Sequence, residues 1–568
     1  MCWSLGVASL TLGWIGKPGA LGDRRDMARA DRMEPVLKTG SAASLPPRRR
    51  LATAGVAMLA AGGLGLATPS QSLQGQAAAA ASRKPPAPNI VLVMTDDQAL
   101  SQVGARYMPK VTKLLQNQGT AFENAFLTTP LCCPSRAALL TGQYGHNNGV
   151  LTNSYRFLHQ KRNVLPVWLH RAGYATAHVG RFLNRYQHGI HRTAVAPGWD
   201  EWYTQLDTSQ GHYYDWDLSK NGKKIHYGDK PGDYAPRVFE RSAVRLTRRF
   251  VPRHKPLYLE VDEIAPHPRL HGKGAGCGPV PDPRDLGKFA DVKLPRPPSL
   301  NEADMSDKPS FMANEPLLTK HDIHRMTRHY RCGLASLQEV DRTVGHLYRE
   351  FKHLGELSRT VFIFYTDNGV FFGEHRIGGG KLYPFEEADR TPLYIRLPAR
   401  YRNGHVAQVS QPVANIDFAP TILRLAHAKP CRSPGHCRVM DGRNLLPLLR
   451  GKSPAWAAER PLGVELHVAY ANRRHAVCVY AGVRLPGVVF VRHTRATHRK
   501  GGRCVKDVER ERYNLDQDPY ELHNLCFGGR GCPNDADQTR LRRLLVRVRD
   551  CSGIRGRDRK PRNGGYCE

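Results

Sequence analysis

Asn89-Ile-Val-Leu-Val-Met-Thr-Asp-Asp97 is an unbroken apolar run closed by two acids. A run without polar alternation is what a strand buried on both faces requires. Carboxylates at the carboxyl end of such a strand are costly, by several kcal/mol each, unless a cation or ligand engages them. A second run, Thr360-Val-Phe-Ile-Phe-Tyr365, closes in the same way, on Thr366-Asp367-Asn368-Gly369. Between them lie helical patterns, from Met108 to Gln118 and from Tyr330 to Leu354, and a strand-like piece from Pro256 to Val261. Strands alternating with helices predict an α/β fold: a large, mostly parallel central sheet flanked by helices, with ligands at the carboxyl ends of the strands. Both acidic pairs fall on that side. The segment Pro266 to Pro298, rich in Pro, Gly and basic residues, reads as a long surface loop able to wall a pocket. From about Asn444 the pattern changes to short strands, Arg/Gly-rich turns and cysteines, with a last helix near Gln538 to Arg549. This predicts a smaller C-terminal α+β domain. The expected division is a leader over 1–81, the main α/β domain over 82–443 and a Cys-rich domain over 444–568.

The chain has 568 residues, 40% hydrophobic and 24% charged, which excludes a disordered polymer and suits a globular enzyme of two unequal domains. Lys and Arg number 84 against 50 Asp and Glu, giving a net charge of +34. Such a surface attracts polyanions, nucleic acid and sulfated polysaccharide among them. An arginine-rich codon bias produces the same excess as plain solvated surface, so charge alone selects no substrate. Arg48, Arg49 and Arg50 precede an apolar small-residue run from Leu51 to Ala67 and an alanine tract from Ala77 to Ala81. That is the order of a signal peptide with its cleavage site, and it predicts a mature chain from near Ser82, exported from a bacterial cell to the periplasm or the exterior. The run is too rich in Gly and Ala for a stable membrane anchor. Met27 and Met33 are alternative initiators, and the paired arginines also admit twin-arginine export. Thirteen cysteines fit an exported protein, and without paired C-x-x-C spacing they point to disulfides rather than zinc.

The most informative stretch is Pro130-Leu-Cys132-Cys133-Pro134-Ser135-Arg136-Ala-Ala-Leu-Leu-Thr141-Gly142. It resembles the type I sulfatase family, whose signature is C-x-P-S-R followed by a short apolar turn and Thr-Gly. The resemblance implies an alkaline-phosphatase-like sandwich fold and oxidation of Cys132 to formylglycine by a formylglycine-generating enzyme that reads Pro134 and Arg136. It further implies one divalent cation, Ca²⁺ rather than Mg²⁺, held by Asp96, Asp97, Asp367, Asn368 and the residue at Cys132. The chemistry is coherent, since cleaving a sulfate monoester needs a nucleophile, a cation for the sulfuryl oxygens and a proton donor for the leaving alcohol. A hydrated aldehyde offers two hydroxyls, one to attack sulfur and one to expel sulfate.

Other matches extend the resemblance over most of the chain. Gly173 to Asn184 is similar to the family's second signature, with Arg181 where lysine is usual; arginine keeps the charge but gives up no proton. Ala265-Pro266-His267 resembles the histidine loop that meets the sulfate ester. Gly373-Glu374-His375-Arg376 and Gly378-Gly379-Gly380-Lys381 resemble the loop whose lysine contacts sulfate and is, beside His267, a second candidate proton donor. His146 resembles a site-lining position, and Tyr513 to Leu525 a structural motif. With Cys2 in the leader, Cys132 modified and Cys133 free, Cys277, Cys332, Cys431, Cys437, Cys478, Cys504, Cys526, Cys532, Cys551 and Cys567 remain for disulfides. The Leu-Cys-Cys-Pro-Ser-Arg form with Arg181-Phe-Leu-Asn184 is closest to N-acetylglucosamine-6-sulfatases. This implies a sulfated sugar or glycosaminoglycan as substrate, rather than nucleic acid. The rivals are a simple arylsulfatase, a formylglycine-dependent phosphonate or phosphodiester hydrolase, and a non-catalytic binder of polyanionic glycans.

Overall fold

All seven residues of strand β1 (Asn89–Thr95) are buried, and its side chains divide between two cores. Ile90, Leu92 and Met94 pack into one hydrophobic cluster, Val91 and Val93 into another on the opposite face, as the two-residue period of a strand dictates. The structure is a computed structural model and describes residues 87–568 apart from 190–192, 210, 254, 270–277, 403, 472–475, 494–507, 528–530 and 562–563. The expected leader, Cys277, Cys504 and part of the Pro266–Pro298 loop lie outside the described residues.

The central sheet has ten strands: β1, β2 (Thr120–Phe122), β3 (Ala175–Gly180), β4 (Glu201–Gln205), β5 (Trp216–Lys220), β6 (Lys223–Tyr227), β7 (Leu257–Asp262), β8 (Thr360–Thr366), β9 (Leu393–Arg396) and β10 (Gln408–Val409). Their spatial order is β10-β2-β9-β8-β1-β7-β3-β4-β5-β6. The middle five, β8-β1-β7-β3-β4, are parallel, and of the ten only β9 and β5 run the other way. One face is covered by α1 (Cys132–Thr141), α2 (Leu165–Arg171) and α5 (Phe418–Leu425), the other by α3 (Ala235–Phe250) and α4 (Lys320–His353). Each buried Leu, Ile, Val or Phe contributes about 1.5–3 kcal/mol, so the two cores hold the central strands far more firmly than any single polar contact does.

Two helix boundaries differ from expectation. The helix predicted from Tyr330 begins at Lys320, because Thr319 and Asp322 form a reciprocal capping box: Thr319 Oγ1 accepts from the Asp322 amide (3.2 Å) and Asp322 Oδ2 from the Thr319 amide (3.1 Å). The helical pattern from Met108 to Gln118 is a short turn, Pro109–Val111, that widens into a π-turn over Thr112–Gln116. A smaller antiparallel sheet, β11 (Leu462–Leu466), β12 (Tyr480–Leu485), β13 (Val488–His493) and β14 (Glu509–Asn514), packs against α6 (Ala536–Arg549) through Val483, Leu485, Leu541 and Leu545. Disulfides join Cys431 to Cys437, Cys526 to Cys532 and Cys551 to Cys567; Cys332 and Cys478 are also disulfide-bonded, while Cys132 and Cys133 are free and buried. Among the described residues no helix is long and apolar enough to cross a membrane.

Candidate active site

Parallel pairing of β1 with β8 sets Thr95 opposite Thr366, so the acidic pairs that follow the two strands meet side by side. Asp97 adopts a left-handed backbone (φ 62°), a conformation that non-glycine residues rarely hold. Its amide donates to Asp367 Oδ1 (3.3 Å). Asn368 Nδ2 donates to Asp97 Oδ1 (2.6 Å) and to the Gly369 carbonyl (2.9 Å), which leaves Asn368 Oδ1 a buried oxygen with no hydrogen-bond partner.

Helix α1 delivers the next two groups. Pro134 is tolerated in its first turn and Gly142, in the left-handed region, stops it. Cys132 opens the helix, where the backbone dipole favours negative charge. Arg136, four residues on, lies on the same face. Its guanidinium is 2% exposed and ties three carboxylates together: Nη2 to Asp96 (2.9 Å), Nε to Asp367 (2.8 Å) and Nη1 to Asp262 (3.2 Å). Nη1 also donates to the Arg181 carbonyl. Removing one partner of such a buried group costs about 3–5 kcal/mol.

Arg181 follows β3. Gly180 before it has φ 112°, and a Cβ there would sit 2.0 Å from the Asp262 carbonyl, so only glycine allows this approach of β3 to β7. Arg181 Nη1 pairs with Asp96, while its buried Nε has no partner. Lys381 reaches the same centre from a loop whose Gly379 and Gly380 both have positive φ. Its Nζ pairs with Asp97 and donates to Cys132 Sγ (2.9 Å). His375 Nδ1, bonded to Glu302 (2.6 Å), and Arg376, bonded to the carbonyls of Glu302, Ala303 and Glu315, pin that loop. His267 Nδ1 lies 2.7 Å from the Pro268 carbonyl and therefore carries a hydrogen, which turns Nε2 toward Asp97 Oδ2 (3.7 Å).

The electrostatics follow from crowding. Burial opposes ionisation of Asp96, but Arg181, His267, Arg136 and Lys381 together hold its carboxyl well below the usual range. Burial, then the Asp96 charge, push Asp367 up to about 6. Burial pushes the Cys132 thiol up to about 12, against the pull of Lys381, so the unmodified thiol is protonated at neutral pH. Burial works against the Lys381 ammonium, yet Asp97, Cys132, Asp96 and Asp367 hold it above its ordinary value. Burial lowers His267, with Asp97 and Asp96 opposing.

The structure thus brings together Asp96, Asp97, Cys132, Arg136, Arg181, His267, Asp367, Asn368 and Lys381. Ligand atoms of Asp96, Asp97, Cys132 and His267 lie within 4.8 Å of one another, a group able to hold a metal ion. Asp367 adjoins it with Oδ1 and Oδ2 already engaged by the Asp97 amide and Arg136. The three carboxylates and the unpartnered Asn368 oxygen form an oxygen-rich set that fits a hard divalent cation.

His146 makes its contacts elsewhere: Nδ1 to Glu465 Oε2 (2.7 Å) and Nε2 to the Cys551 carbonyl (2.9 Å). Burial opposes its charge, but Glu465 raises it to about 9, so it works as a cationic tie between the end of α1, β11 and the C-terminal segment. Sequence reasoning missed Asp262, which closes the Arg136 triad. Its signal was present, because an acid at the end of the buried run Leu257–Asp262 repeats the pattern of Asp96.

Comparison with known proteins bears on this arrangement. The sulfatase family model matches residues 88–428, and the model for the C-terminal part of N-sulphoglucosamine sulphohydrolase matches residues 373–531. An extracellular sulfatase of Drosophila melanogaster is 33% identical over 65% of this chain and 32% of its own length. The N-acetylglucosamine-6-sulfatase of Capra hircus is 30% identical over 86% of this chain and 88% of its own. The chain spans about a third and about half of the length of the two extracellular sulfatases it matches from Drosophila melanogaster and Caenorhabditis elegans. A solved structure, described as a complex with its substrate D-glucosamine-2-N,6-O-disulfate, superposes with TM-score 0.64 at 24% identity, over 81% of this chain and 97% of the other.

Proposed function

The chain belongs to the sulfatase family, and from that premise we propose that it hydrolyses sulfate monoesters on a sulfated glucosamine or glycosaminoglycan, with Cys132 oxidised to formylglycine as the nucleophile. The observation that carries this is the convergence, around the first residue of α1, of three carboxylates, two arginines and Lys381. Cys132 Sγ marks the point from which the attacking group projects. The aldehyde formed there, once hydrated, supplies one hydroxyl to attack sulfur and a second to release sulfate. Asp96, Asp97, Asp367 and Asn368 would hold a hard divalent cation, whose charge would neutralise the sulfuryl oxygens; four protein ligands suit Ca²⁺ better than Mg²⁺, which keeps several of its waters.

The chain's own residues do the rest. Arg136 fixes Asp96 and Asp367 in register. Arg181 and Lys381 carry positive charge toward the anionic ester, and Arg181, unable to release a proton, is a clamp. His267 is held with Nε2 facing the centre; the incoming sulfate favours its doubly protonated form, which then protonates the leaving alcohol. Maturation requires a formylglycine-generating enzyme. The expected export signal, together with extracellular relatives, supports a secreted protein. The substrate class rests on the N-acetylglucosamine-6-sulfatase of Capra hircus and on the solved complex with a glucosamine disulfate.

The test is sulfate release from glucosamine-6-sulfate, set against hydrolysis of an aryl phosphodiester by the same preparation. Faster sulfate release is the expected result. Preferential phosphodiester cleavage would overturn the assignment.

A further inference from the structure

Helix α3 places Arg237, Arg241, Arg245 and Arg249 at four-residue intervals along one flank, the spacing that stacks side chains in a row. Its two ends are neutralised: Arg237 pairs with Asp282 (2.5 Å) and Arg249 with Glu201 (2.7 Å). The middle is not. Arg241 bonds only the Gly232 carbonyl (2.6 Å), and among the described residues Arg245 has no ion pair. Both are exposed and line a shallow, open pocket between α3 and the β4-β5-β6 edge of the sheet. Lys220 adds a third cation, with its Nζ 5.3 Å from the centre of the Tyr203 ring. Tyr227 lines it, half-buried and stacked on Trp216 at 4.6 Å, whereas Tyr203 is buried beneath Lys220. Of the neighbouring acids, Glu201 is engaged by Arg249 and Asn221 and Asp217 by Lys224 and His226, which leaves Asp233 beside Tyr227 as the acid facing the row.

Three cations along an open face match a sulfated sugar unit, whose anionic groups accept charge-assisted hydrogen bonds. We propose that this pocket is a second sugar site that grips a sulfated unit of a polymeric glycan away from the unit being cleaved. Four strand-to-strand steps separate β5 from β1, which is about 19 Å, so a single monosaccharide cannot reach both sites and a chain can. The proposal rests on the sulfated-glycan reading above and extends it to polymer binding.

The experiment compares the full-length protein with the Arg241→Ala/Arg245→Ala double variant, with the charge-reversed Arg245→Glu, and with a control that removes two exposed arginines of α6, Arg542→Ala/Arg543→Ala. Heparin is the polymeric probe and glucosamine-6-sulfate the small one. In both pocket variants, heparin affinity at fixed salt should fall by about tenfold and the salt dependence should become shallower. Turnover of glucosamine-6-sulfate should be unchanged, and the control should bind heparin as the parent does. Equal heparin affinity in parent and pocket variants, or an equal loss in the control, would overturn the pocket. If heparin affinity falls as expected while no variant releases sulfate, the pocket stands and the hydrolase reading fails.

Discussion

Two clusters of buried charge in this molecule are built from the same residue types and behave differently. Around Arg460, which is fully buried, every guanidinium nitrogen is matched: Nη1 and Nη2 grip Asp417 end-on (2.6 and 2.8 Å) and Nε bonds Glu568 (2.5 Å). Asp417 also accepts the amides of Ala414 and Arg443, and Glu568 accepts Arg443 Nε. None of these groups holds an unpartnered buried atom. Around Cys132 the charges are as deep, yet Arg181 Nε, Asn368 Oδ1 and Asp262 Oδ1 are buried without partners, and Asp97 holds a strained backbone. Burial of charge is common to both and says nothing of function. Unmet polar capacity costs about 1–3 kcal/mol per group and occurs elsewhere too, at Arg484 Nε, Asp389 Oδ1 and Glu521 Oε1; what sets the Cys132 centre apart is that it coincides there with a group of four side chains able to hold a metal ion.

The contrast can be broken at either end. Cys132→Ala should lower sulfate release by at least about 10⁴-fold while leaving the thermal midpoint close to the parent, because the side chain anchors little else; activity assay and calorimetry on one sample check both. Arg460→Met should do the reverse, costing about 3–5 kcal/mol and a similar number of degrees, about 3–5 °C, in midpoint while turnover per folded molecule persists. Loss of turnover in a still-folded Arg460→Met protein would erase the distinction.

His146 sharpens it through pH. Its folded-state pKa of about 9 stands above the ordinary 6.5, so its stabilisation is complete below pH 6.5 and disappears as pH rises through 9. The difference is worth up to about 3 kcal/mol. Denaturant titrations at pH 6 and pH 9.5 should show that loss in the parent and a flatter response in His146→Gln. The smallest effect is expected of Arg181→Lys, with turnover within about tenfold of the parent, because the charge opposite Asp96 is kept.

These features were unequally visible in the sequence. Asp96, Asp97, Asp367 and Asn368 are legible because an apolar run closing on acids has a local energetic meaning, and the pairing of β1 with β8 then brings them together. Cys132 and Arg136 are legible through the family resemblance of their motif, while their place one turn apart on α1 comes from the fold. Asp262 carried the same strand-end signal without being read. The start of α4 at Lys320 was announced by Thr319 and Asp322, a capping pair that a search for apolar periodicity overlooks. The partners of His146 could not be read at all. Glu465 and Cys551 lie hundreds of residues away, and only folding of the C-terminal region against α1 brings them to it. The matched state of Arg460 is invisible for the same reason.

The central claim is that the residue at position 132 acts as an aldehyde hydrate in a centre whose unmodified thiol stays protonated. Mass spectrometry of the peptide spanning Cys132, from protein purified out of its native host, tests it most directly. The account predicts a formyl group with the sulfur lost at that position. An intact thiol in protein that nevertheless releases sulfate would contradict it.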